Sequence, residues 1–408
     1  MRKTFLSFCK DSFGFMYFSK YLFAVSLLLV TGCKKVGLHD DLAEPVNENT
    51  VSKVSAARST TTTGPNIILI LADDVGYEIP TSNGGQSYQT PKIDQMASEG
   101  LRFTQCHAAP LCTPSRVMLL TGKYNFRNYI RWAFLNPTEK TFANMMHDAG
   151  YRTLVTGKWQ LDGGDVSMRG FGFDDYLVWA PFSPDGTGEG GKGSRYKNPT
   201  LYRNAAYLPS AQTNNKYGED LFTDAVKDFI DESNTLGQPF FIYYPMCLGH
   251  FPFCPTPDDP EFNHWDPKQD ESDTRFFPSM MKYMDKKVGE IINKVKNSPV
   301  ANNTLIIFMG DNGTNKDITS QYNGTSYKGG KSTPTEAGTW VPMIAWWQGV
   351  IAPGVNDDLI DLTDFMPSLA SIAGINVPAE YGIIDGVNFH PRLLSQPGTP
   401  RDWIFCHF

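Results

Sequence analysis

The segment CTPSR, residues 112–116, combines a reactive thiol with residues that favour the start of a helix. Thr113 is a favourable helix cap, Pro114 suits a first helical turn, and a glycine ends the apolar run that follows. Free backbone N–H groups and the positive end of the helix dipole meet at such a start, and Arg116 adds guanidinium donors one turn later. The segment therefore predicts an anion-binding site beside Cys112.

A phosphatase loop and a purely structural cysteine are the alternatives for this segment. A thiolate phosphatase loop needs five residues between its cysteine and its arginine, whereas three separate Cys112 from Arg116. A lone cysteine before an ordinary helix is by default a half-buried structural residue. The structural role is the simpler one unless distant residues point to the same chemistry as the segment itself.

Four further groups of polar residues each follow an apolar run. They are Asp73-Asp74, Lys158, His250 and Asp311-Asn312. Carboxylate and amide oxygens without clustered histidine or thiolate ligands are typical of Ca²⁺ or Mg²⁺ sites rather than of zinc sites. Adjacent buried carboxylates such as Asp73 and Asp74 repel one another unless a cation neutralises them. A helix cap or a turn is the alternative for this pair.

The elements that position these residues follow from the apolar pattern. Continuous apolar runs predict buried strands over residues 67–72, 153–156, 240–245, 304–309 and 342–347. Helical patterns cover residues 92–99, 142–148, 220–232, 279–296 and 362–373. The alternation predicts one α/β sandwich, in which helices cover both faces of a large, mostly parallel central sheet.

Such a sheet binds ligands at the carboxyl ends of its strands, so we expect the polar groups and the Cys112 helix to meet in one crevice. The alternative is that residues in loops are polar in any case. Lys331 lies in Gly329-Gly330-Lys331-Ser332, which is similar to a phosphate-binding loop. That loop would need glycine at Thr325, so the pattern fails.

Composition limits the classes of protein. A chain of 408 residues with 41% hydrophobic and 13% aromatic residues can bury a large core, which excludes a disordered chain or a small disulfide scaffold. The formal charge of −7 argues against a nucleic-acid partner. Irregularly spaced cysteines argue against a disulfide framework, although a Cys247–Cys254 pair stays open.

The first 65 residues predict export. Residues 21–30 form an apolar run that is too short to span a bilayer and fits the core of a signal peptide. Val30-Thr31-Gly32-Cys33 resembles a lipobox, which implies cleavage after residues 1–32 and a lipid anchor on Cys33 in the membrane; an ordinary signal peptide is the alternative. Met16 is the expected initiator. Residues 33–65 are polar and aperiodic, and we interpret them as a flexible tether.

From Asn66 onward the chain resembles a known family. CTPSR is similar to the Cys-x-Pro-Ser-Arg signature of type I sulfatases, which belong to the alkaline phosphatase-like superfamily. The resemblance extends to LADDVG (71–76), LTGKYNFR (120–127), GKWQL (157–161), GDNG (310–313) and GGKSTPTEAG (329–338). It identifies residues 66–400 as a sulfatase catalytic domain.

The resemblance implies hydrolysis of sulfate esters, after a maturation enzyme has oxidised Cys112 to formylglycine. It implies one divalent cation, usually calcium with magnesium as the alternative, held by Asp73, Asp74, Asp311, Asn312 and the formylglycine made from Cys112. It also implies that Arg116, Lys158 and Lys331 neutralise the sulfate and that His250 protonates the leaving alcohol.

Two features depart from the family. Gln160 occupies the position of a histidine that helps to remove a proton during sulfate release, and an amide cannot act as a base at neutral pH. His107 is a weak candidate for a substitute. Residues 401–408 resemble the first strand of the family's C-terminal subdomain, which predicts that this subdomain is truncated.

These observations favour an exported, periplasmic or cell-surface lipoprotein that hydrolyses sulfate esters on carbohydrate. An arylsulfatase of the same family and a non-catalytic glycan-binding relic are the alternatives. Phosphoryl or phosphonate transfer on the same fold would need a Thr or Ser nucleophile and two metals, which the Cys112 segment argues against.

Overall fold

A computed structural model describes residues 64–181 and 193–406. The predicted leader, the Cys33 anchor and nearly all of the tether lie outside these residues, so the structure does not bear on them. Within the described part, none of the helices combines the length and the apolar character that crossing a membrane requires.

Twelve strands form in the described residues. They are β1 (Asn66–Ala72), β2 (Leu101–His107), β3 (Arg152–Gly157), β4 (Asp175–Trp179), β5 (Leu201–Arg203), β6 (Ala206–Tyr207), β7 (Phe240–Pro245), β8 (Thr304–Gly310), β9 (Thr319–Tyr322), β10 (Thr325–Lys328), β11 (Trp340–Trp347) and β12 (Gly354–Asp361). Ten of them make one sheet in the order β12-β2-β11-β8-β1-β7-β3-β4-β5-β6, and β9 pairs with β10.

The centre of the sheet is parallel, as the apolar runs predict. Strands β8, β1, β7, β3 and β4 run parallel, with Ile68 level with Ile242 on one side and Ile306 on the other. Strand β11 is antiparallel to both of its neighbours, β8 and β2, which makes the whole sheet mixed. The sequence pattern missed β2 and β12 because they lie towards the sheet edge, where exposed and buried positions mix and no continuous apolar run results.

Eleven α-helices form in the described residues. They are α1 (Pro91–Glu99), α2 (Cys112–Thr121), α3 (Asn125–Asn128), α4 (Phe142–Asp148), α5 (Gly164–Gly170), α6 (Ser210–Thr213), α7 (Gly218–Leu236), α8 (Phe277–Lys296), α9 (Glu336–Thr339), α10 (Phe365–Ile372) and α11 (His390–Leu393). The five predicted helices correspond to α1, α4, α7, α8 and α10.

Helices cover both faces of the sheet, because successive side chains of a strand point to opposite sides. Ile67, Leu69 and Leu71 of β1 join one buried cluster with residues of α2, α4 and α10. Ile68 and Ile70 join the other cluster, with residues of α1, α7 and α8. The central strands are therefore buried on both sides, which fixes their carboxyl ends in place.

Helix α2 begins two residues earlier than predicted. Leu111 has an extended backbone and serves as the N-cap, so Cys112 is the first helical residue rather than the residue before the helix. The prediction that Thr113 is the cap is wrong, because its hydroxyl instead accepts a hydrogen bond from Gln160 at 3.2 Å. Gly122, at φ 67°, ends the helix in the left-handed conformation.

The segment from Arg401 forms no strand over residues 402–406, contrary to the prediction. Arg401 makes one isolated bridge to Leu359 of β12, and its guanidinium binds Asp364 and donates to Tyr124 Oη at 2.6 Å. The ring of Trp403 packs 5.8 Å from that of Tyr124. These side-chain contacts pack the segment against Tyr124 and Asp364. The described cysteines are all free, including Cys247 and Cys254.

Candidate active site

The predicted polar groups lie together at the carboxyl edge of the central strands. The structure brings into one contiguous set Asp73, Asp74, Cys112, Arg116, Lys158, Gln160, His250, Asp311, Asn312 and Lys331. Every member of this set is at least nine-tenths buried except Lys331, whose side chain is 12% exposed. A cluster of this charge density can persist in a core only when its charges are paired.

Asp73, directly after β1, is the most heavily compensated acid. Lys158 Nζ lies 2.5 Å from its Oδ2, and Arg116 Nη2 lies 3.9 Å from its Oδ1. Burial raises the pKa of Asp73, but the positive charges of Lys158 and Arg116 outweigh burial and hold the pKa below its usual range. Asp73 therefore carries a negative charge in the folded protein.

Asp74 connects the acids to the other side of the site. Its backbone N–H donates to Asp311 Oδ1 at 3.1 Å, and the Asn312 amide donates to its Oδ1 at 2.8 Å. Lys331 Nζ lies 2.6 Å and 2.8 Å from its two carboxylate oxygens. Asp74 adopts φ 59°, a conformation that Asp tolerates better than most residues and that clusters at functional sites.

Arg116 is held rigidly on α2. Its Nε and Nη2 donate to Asp311 Oδ2 at 3.2 and 2.8 Å, and its Nη1 donates to the Lys158 carbonyl at 2.6 Å. Burial lowers the pKa of Arg116, but the negative charge of Asp311 outweighs it, and the pKa is raised. The charged guanidinium therefore bridges the ends of β8 and β3.

Cys112 contacts Gln160 at the first turn of α2. Gln160 Nε2 lies 2.8 Å from Cys112 Sγ, and Gln160 Oε1 has no hydrogen-bond partner in the described structure. Gln160 adopts φ 61°, which is uncommon for a residue with a side chain of this size. A buried side chain that is aimed at the thiol from an uncommon backbone conformation is consistent with a functional position.

His250 lies on a loop after β7 and joins the site through its ring. Its Nε2 is 4.0 Å from Asp74 Oδ2, and its Nδ1 is 2.7 Å from the Phe251 carbonyl and 3.3 Å from Arg195 Nη1. Burial and the charge of Lys158 lower the pKa of His250 to about 3. The ring is therefore neutral at neutral pH, despite the nearby charges of Asp73 and Asp74.

The oxygen atoms of this set fit a hard divalent cation. Asp73 Oδ1 and Asn312 Oδ1 are buried without a hydrogen-bond partner in the described structure, which is costly unless something else satisfies them. Potential ligand atoms of Asp73, Cys112 and Asp311 lie within 4.8 Å of one another. Three carboxylates and one amide oxygen are the donors that Ca²⁺ and Mg²⁺ prefer.

Two residues of the site carry no signal in the sequence. Arg195 reaches His250 across 55 positions, and Glu219 at the start of α7 accepts hydrogen bonds from the backbone N–H groups of Cys247 and Leu248. Only the fold brings them there. His107, the weak candidate for a base, has Gln105 as its hydrogen-bond partner and does not contact Gln160 in the described structure.

A family model described as Sulfatase matches residues 65–375. The chain belongs to the sulfatase family. Arylsulfatase A of Bos taurus is 31% identical over 391 residues, which cover 88% of this chain and 73% of that protein. N-acetylgalactosamine-6-sulfatase of Mus musculus is 30% identical over 360 residues, which cover 81% of this chain and 66% of that protein.

A solved structure is similar in fold to this sulfatase. The complex of Ps i-CgsB with k-i-k-neocarrahexaose has a TM-score of 0.68 and 25% identity, and the match covers 81% of this chain and 76% of that one. Family membership makes the chain a sulfuric ester hydrolase on the α/β fold that the apolar pattern predicted.

Proposed function

We propose that this sulfatase hydrolyses sulfate esters on carbohydrate, with Cys112 converted to formylglycine as the reacting residue. The convergence of the nine other site residues around Cys112 is the observation that carries the proposal. The carbohydrate assignment is supported by the names of two similar proteins, one an N-acetylgalactosamine-6-sulfatase and the other bound to a neocarrahexaose. An aryl sulfate is the alternative substrate within the same family.

The residues around Cys112 suit an oxygen that accepts hydrogen bonds. The Cys112 Sγ position stands for the oxygen that the modified residue would carry, 2.8 Å from the Gln160 amide donor. The first turn of α2 presents free backbone N–H groups and a positive dipole end to the same point. These features favour an anion that approaches Cys112.

The cation site is proposed at the ends of β1 and β8. Asp73, Asp74, Asp311 and Asn312 would hold the ion, with the modified Cys112 as a further ligand. When bound, a Ca²⁺ or Mg²⁺ ion supplies Lewis-acid polarisation of oxygen atoms in the site. Asp73 Oδ1 and Asn312 Oδ1, which have no hydrogen-bond partner in the described structure, are the atoms that such an ion would satisfy.

Three cations are proposed to bind the sulfate group. Arg116, Lys158 and Lys331 each pair with a carboxylate now, so their side chains are already ordered around the point where the sulfate would lie. Preorganised donors stabilise charge that develops in the transition state without reorganisation at the moment of reaction. A local basic pocket of this kind lets an acidic chain bind an anionic substrate.

His250 is proposed to protonate the leaving alcohol. Its Nδ1 is held by the Phe251 carbonyl, which leaves Nε2 facing Asp74 and the centre of the site. A bound sulfate ester places negative charge beside the ring and raises its pKa. The ring would then take up a proton from solvent on Nε2, and that proton would pass to the alcohol oxygen as the sulfur–oxygen bond breaks.

Peptide mass spectrometry of the exported protein tests whether Cys112 is converted to formylglycine. We expect the peptide that contains Cys112 to show the mass loss of thiol-to-aldehyde conversion, while the peptide that contains the buried Cys254 keeps its thiol in the same sample. Sulfated oligosaccharide should release sulfate with the wild type and not with Cys112→Ala. An unmodified Cys112 in an active preparation would contradict the proposal.

The organisation of the chain is also proposed. Residues 66–400 would form the catalytic domain. A maturation enzyme would oxidise Cys112, and a lipid on Cys33 would hold the protein at a membrane. Support comes from the lipobox-like Val30-Thr31-Gly32-Cys33 sequence. In a bacterial host, Cys33→Ala should lose acylation and move to the soluble fraction; a variant that stays with membranes would argue against the anchor.

A further inference from the structure

Arg195 lies beside the proposed acid but outside the group of cations that pair with the acidic residues. Its Nη1 is 3.3 Å from His250 Nδ1, and its guanidinium stacks over the ring of Trp179 at 4.0 Å from the centroid. Trp179 is itself fixed, because its Nε1 donates to the Gly193 carbonyl at 3.1 Å. Arg195 therefore has a defined position at the active site.

The contact between Arg195 and His250 does not use the hydrogen-bonding capacity of the guanidinium. His250 Nδ1 is 2.7 Å from the Phe251 carbonyl, which can only accept, so Nδ1 carries the proton and donates it there. A guanidinium has donors and no acceptor. The N–H groups of Arg195 that face His250 consequently find no acceptor on that ring.

No acidic side chain in residues 64–181 and 193–406 forms an ion pair with Arg195, in contrast to the other cations of the site. Arg116 pairs with Asp311, Lys158 with Asp73, and Lys331 with Asp74. Arg195 is only half-buried, so solute can reach it. An ordered guanidinium of this kind is a good partner for a carboxylate or sulfate, which it can bind through two parallel hydrogen bonds.

The position of Arg195 indicates which part of the substrate it would meet. His250 Nε2 faces Asp74, while Nδ1, elsewhere on the ring, faces Arg195. If His250 is the acid, the leaving alcohol would lie next to Nε2, and the Arg195 guanidinium would then lie beyond the imidazole ring, further along the same substrate molecule. That spacing corresponds to another substituent of the sugar that bears the sulfate ester.

We propose that Arg195 is a specificity residue that binds a second anionic group, a carboxylate or a second sulfate, on the sugar whose sulfate ester is cleaved. This inference rests on the proposed function and narrows its substrate class to sugars with two or more negative charges. Trp179 holds the guanidinium in place, and His250 and Arg195 together span the two ends of one sugar unit.

Three methyl glycosides with the same sulfate ester test the inference: one otherwise neutral, one with an added carboxylate and one with a second sulfate. We expect Arg195→Gln to lower kcat/KM about 10- to 100-fold on a doubly charged glycoside, the range of a charge-assisted hydrogen bond, and less than about threefold on the neutral one. The two charged glycosides show which anion is preferred. Arg195→Lys should recover part of the loss, because it keeps the charge without the fork.

Arg152→Gln is the matched control, since Arg152 also stacks on an aromatic ring, 4.4 Å from that of Phe229, but begins β3 at the opposite edge of the sheet. Arg152→Gln should leave the ratio of kcat/KM between the charged and neutral glycosides unchanged. An equal loss on all three glycosides with Arg195→Gln would assign Arg195 to positioning His250 and overturn the inference, as would no loss on any of them.

Failure of the proposed function gives a different result. A wild type that cleaves aryl sulfates but none of the three glycosides contradicts the carbohydrate assignment. In that case, aryl sulfates with and without a ring carboxylate replace the glycosides. The loss of kcat/KM caused by Arg195→Gln is compared between these two substrates, so the role of Arg195 is decided in either case. If Arg195→Gln does not fold, as judged by its unfolding transition, the same comparison of kcat/KM between charged and neutral substrates is made with Arg195→Lys.

Discussion

Gln160 occupies a position for which the family resemblance predicts a different residue. The resemblance implies a histidine there, whereas the structure has an amide that donates towards Cys112 Sγ and Thr113 Oγ1 and leaves its own Oε1 without a partner in the described residues. A neutral amide can orient the residue at position 112. It cannot take up a proton at neutral pH, so any proton removed during sulfate release needs another acceptor.

Replacement of Gln160 by histidine is therefore expected to raise steady-state turnover. A general base typically contributes about 10²- to 10⁴-fold in rate, and the first turn of α2 keeps position 160 within reach of residue 112. The measurement is kcat for sulfate release, together with the amount of alcohol released in the first turnover. The latter should change little, because His250 and Arg116 are untouched.

Gln160→Ala is the control for this experiment. It removes the contact with Cys112 without adding a base, so it should not accelerate turnover. A wild type with fast, linear kinetics that Gln160→His leaves unchanged would show that another group already accepts the proton.

At the scale of elements, helix α7 holds the loop that carries His250. Glu219 in its first turn accepts hydrogen bonds from Cys247 N at 2.5 Å and Leu248 N at 3.1 Å, and the Tyr244 hydroxyl also donates to it. Burial raises the pKa of Glu219 to about 7, although the hydrogen bond from Tyr244 opposes this shift. The loop thus depends on a carboxyl that is partly protonated at neutral pH.

This carboxyl should make stability depend on pH. Because its folded pKa of about 7 exceeds the unfolded value of 4.5, the unfolded state loses the proton first as pH rises, and the free energy of unfolding falls between those two values. The expected contribution is about 3 kcal/mol. Glu219→Gln has no proton to lose, so it should gain this amount relative to the wild type between pH 5 and pH 8 in urea unfolding. If the difference in free energy of unfolding between Glu219→Gln and the wild type does not vary with pH, the raised pKa of Glu219 is contradicted.

Arg401 gives a second prediction at this scale. Its guanidinium binds Asp364, and burial and the charge of Asp364 raise the pKa of Asp361 to about 7. Arg401→Met should cost about 3–5 kcal/mol in urea unfolding at pH 8, because it leaves buried carboxylates uncompensated. The control is Arg392→Met, whose partner Asp358 is more exposed, with an expected cost below about 1 kcal/mol. Similar costs for both variants would show that the Arg401 pair is effectively solvated.

For the whole molecule, the proposed cation would join segments that are far apart in sequence. Asp73 follows β1, Asp311 follows β8, and Cys112 begins α2, yet their potential ligand atoms lie within 4.8 Å of one another. These groups come together only in the folded state. An ion that binds them therefore stabilises the folded state over the unfolded one.

Calcium should accordingly raise the free energy of unfolding, by about 2.7 kcal/mol at a concentration 100 times the dissociation constant. Thermal unfolding with calcium, with magnesium and after chelation measures the effect without reference to activity. Asp311→Asn should reduce the calcium-dependent shift, whereas Asp317→Asn, in the exposed loop that follows, should retain it. A chelated protein with an unchanged transition would argue against the ion.

The central architecture was determined by the sequence alone, because its strands are buried on both faces and therefore appear as continuous apolar runs. The five predicted strands and five predicted helices are all present, and the polar residues that follow the strands lie at one edge for the simple reason that parallel strands end together. The strands near the sheet edge mix buried and exposed positions, so the pattern did not reveal them.

Only the tertiary structure decided the contacts that depend on distant segments. Thr113 caps its helix in the sequence-based prediction but accepts a hydrogen bond from Gln160 in the fold. Arg195 and Glu219 reach the His250 loop across long sequence separations that no local pattern encodes. The order of residues specifies which groups are available, and packing specifies which of them become neighbours.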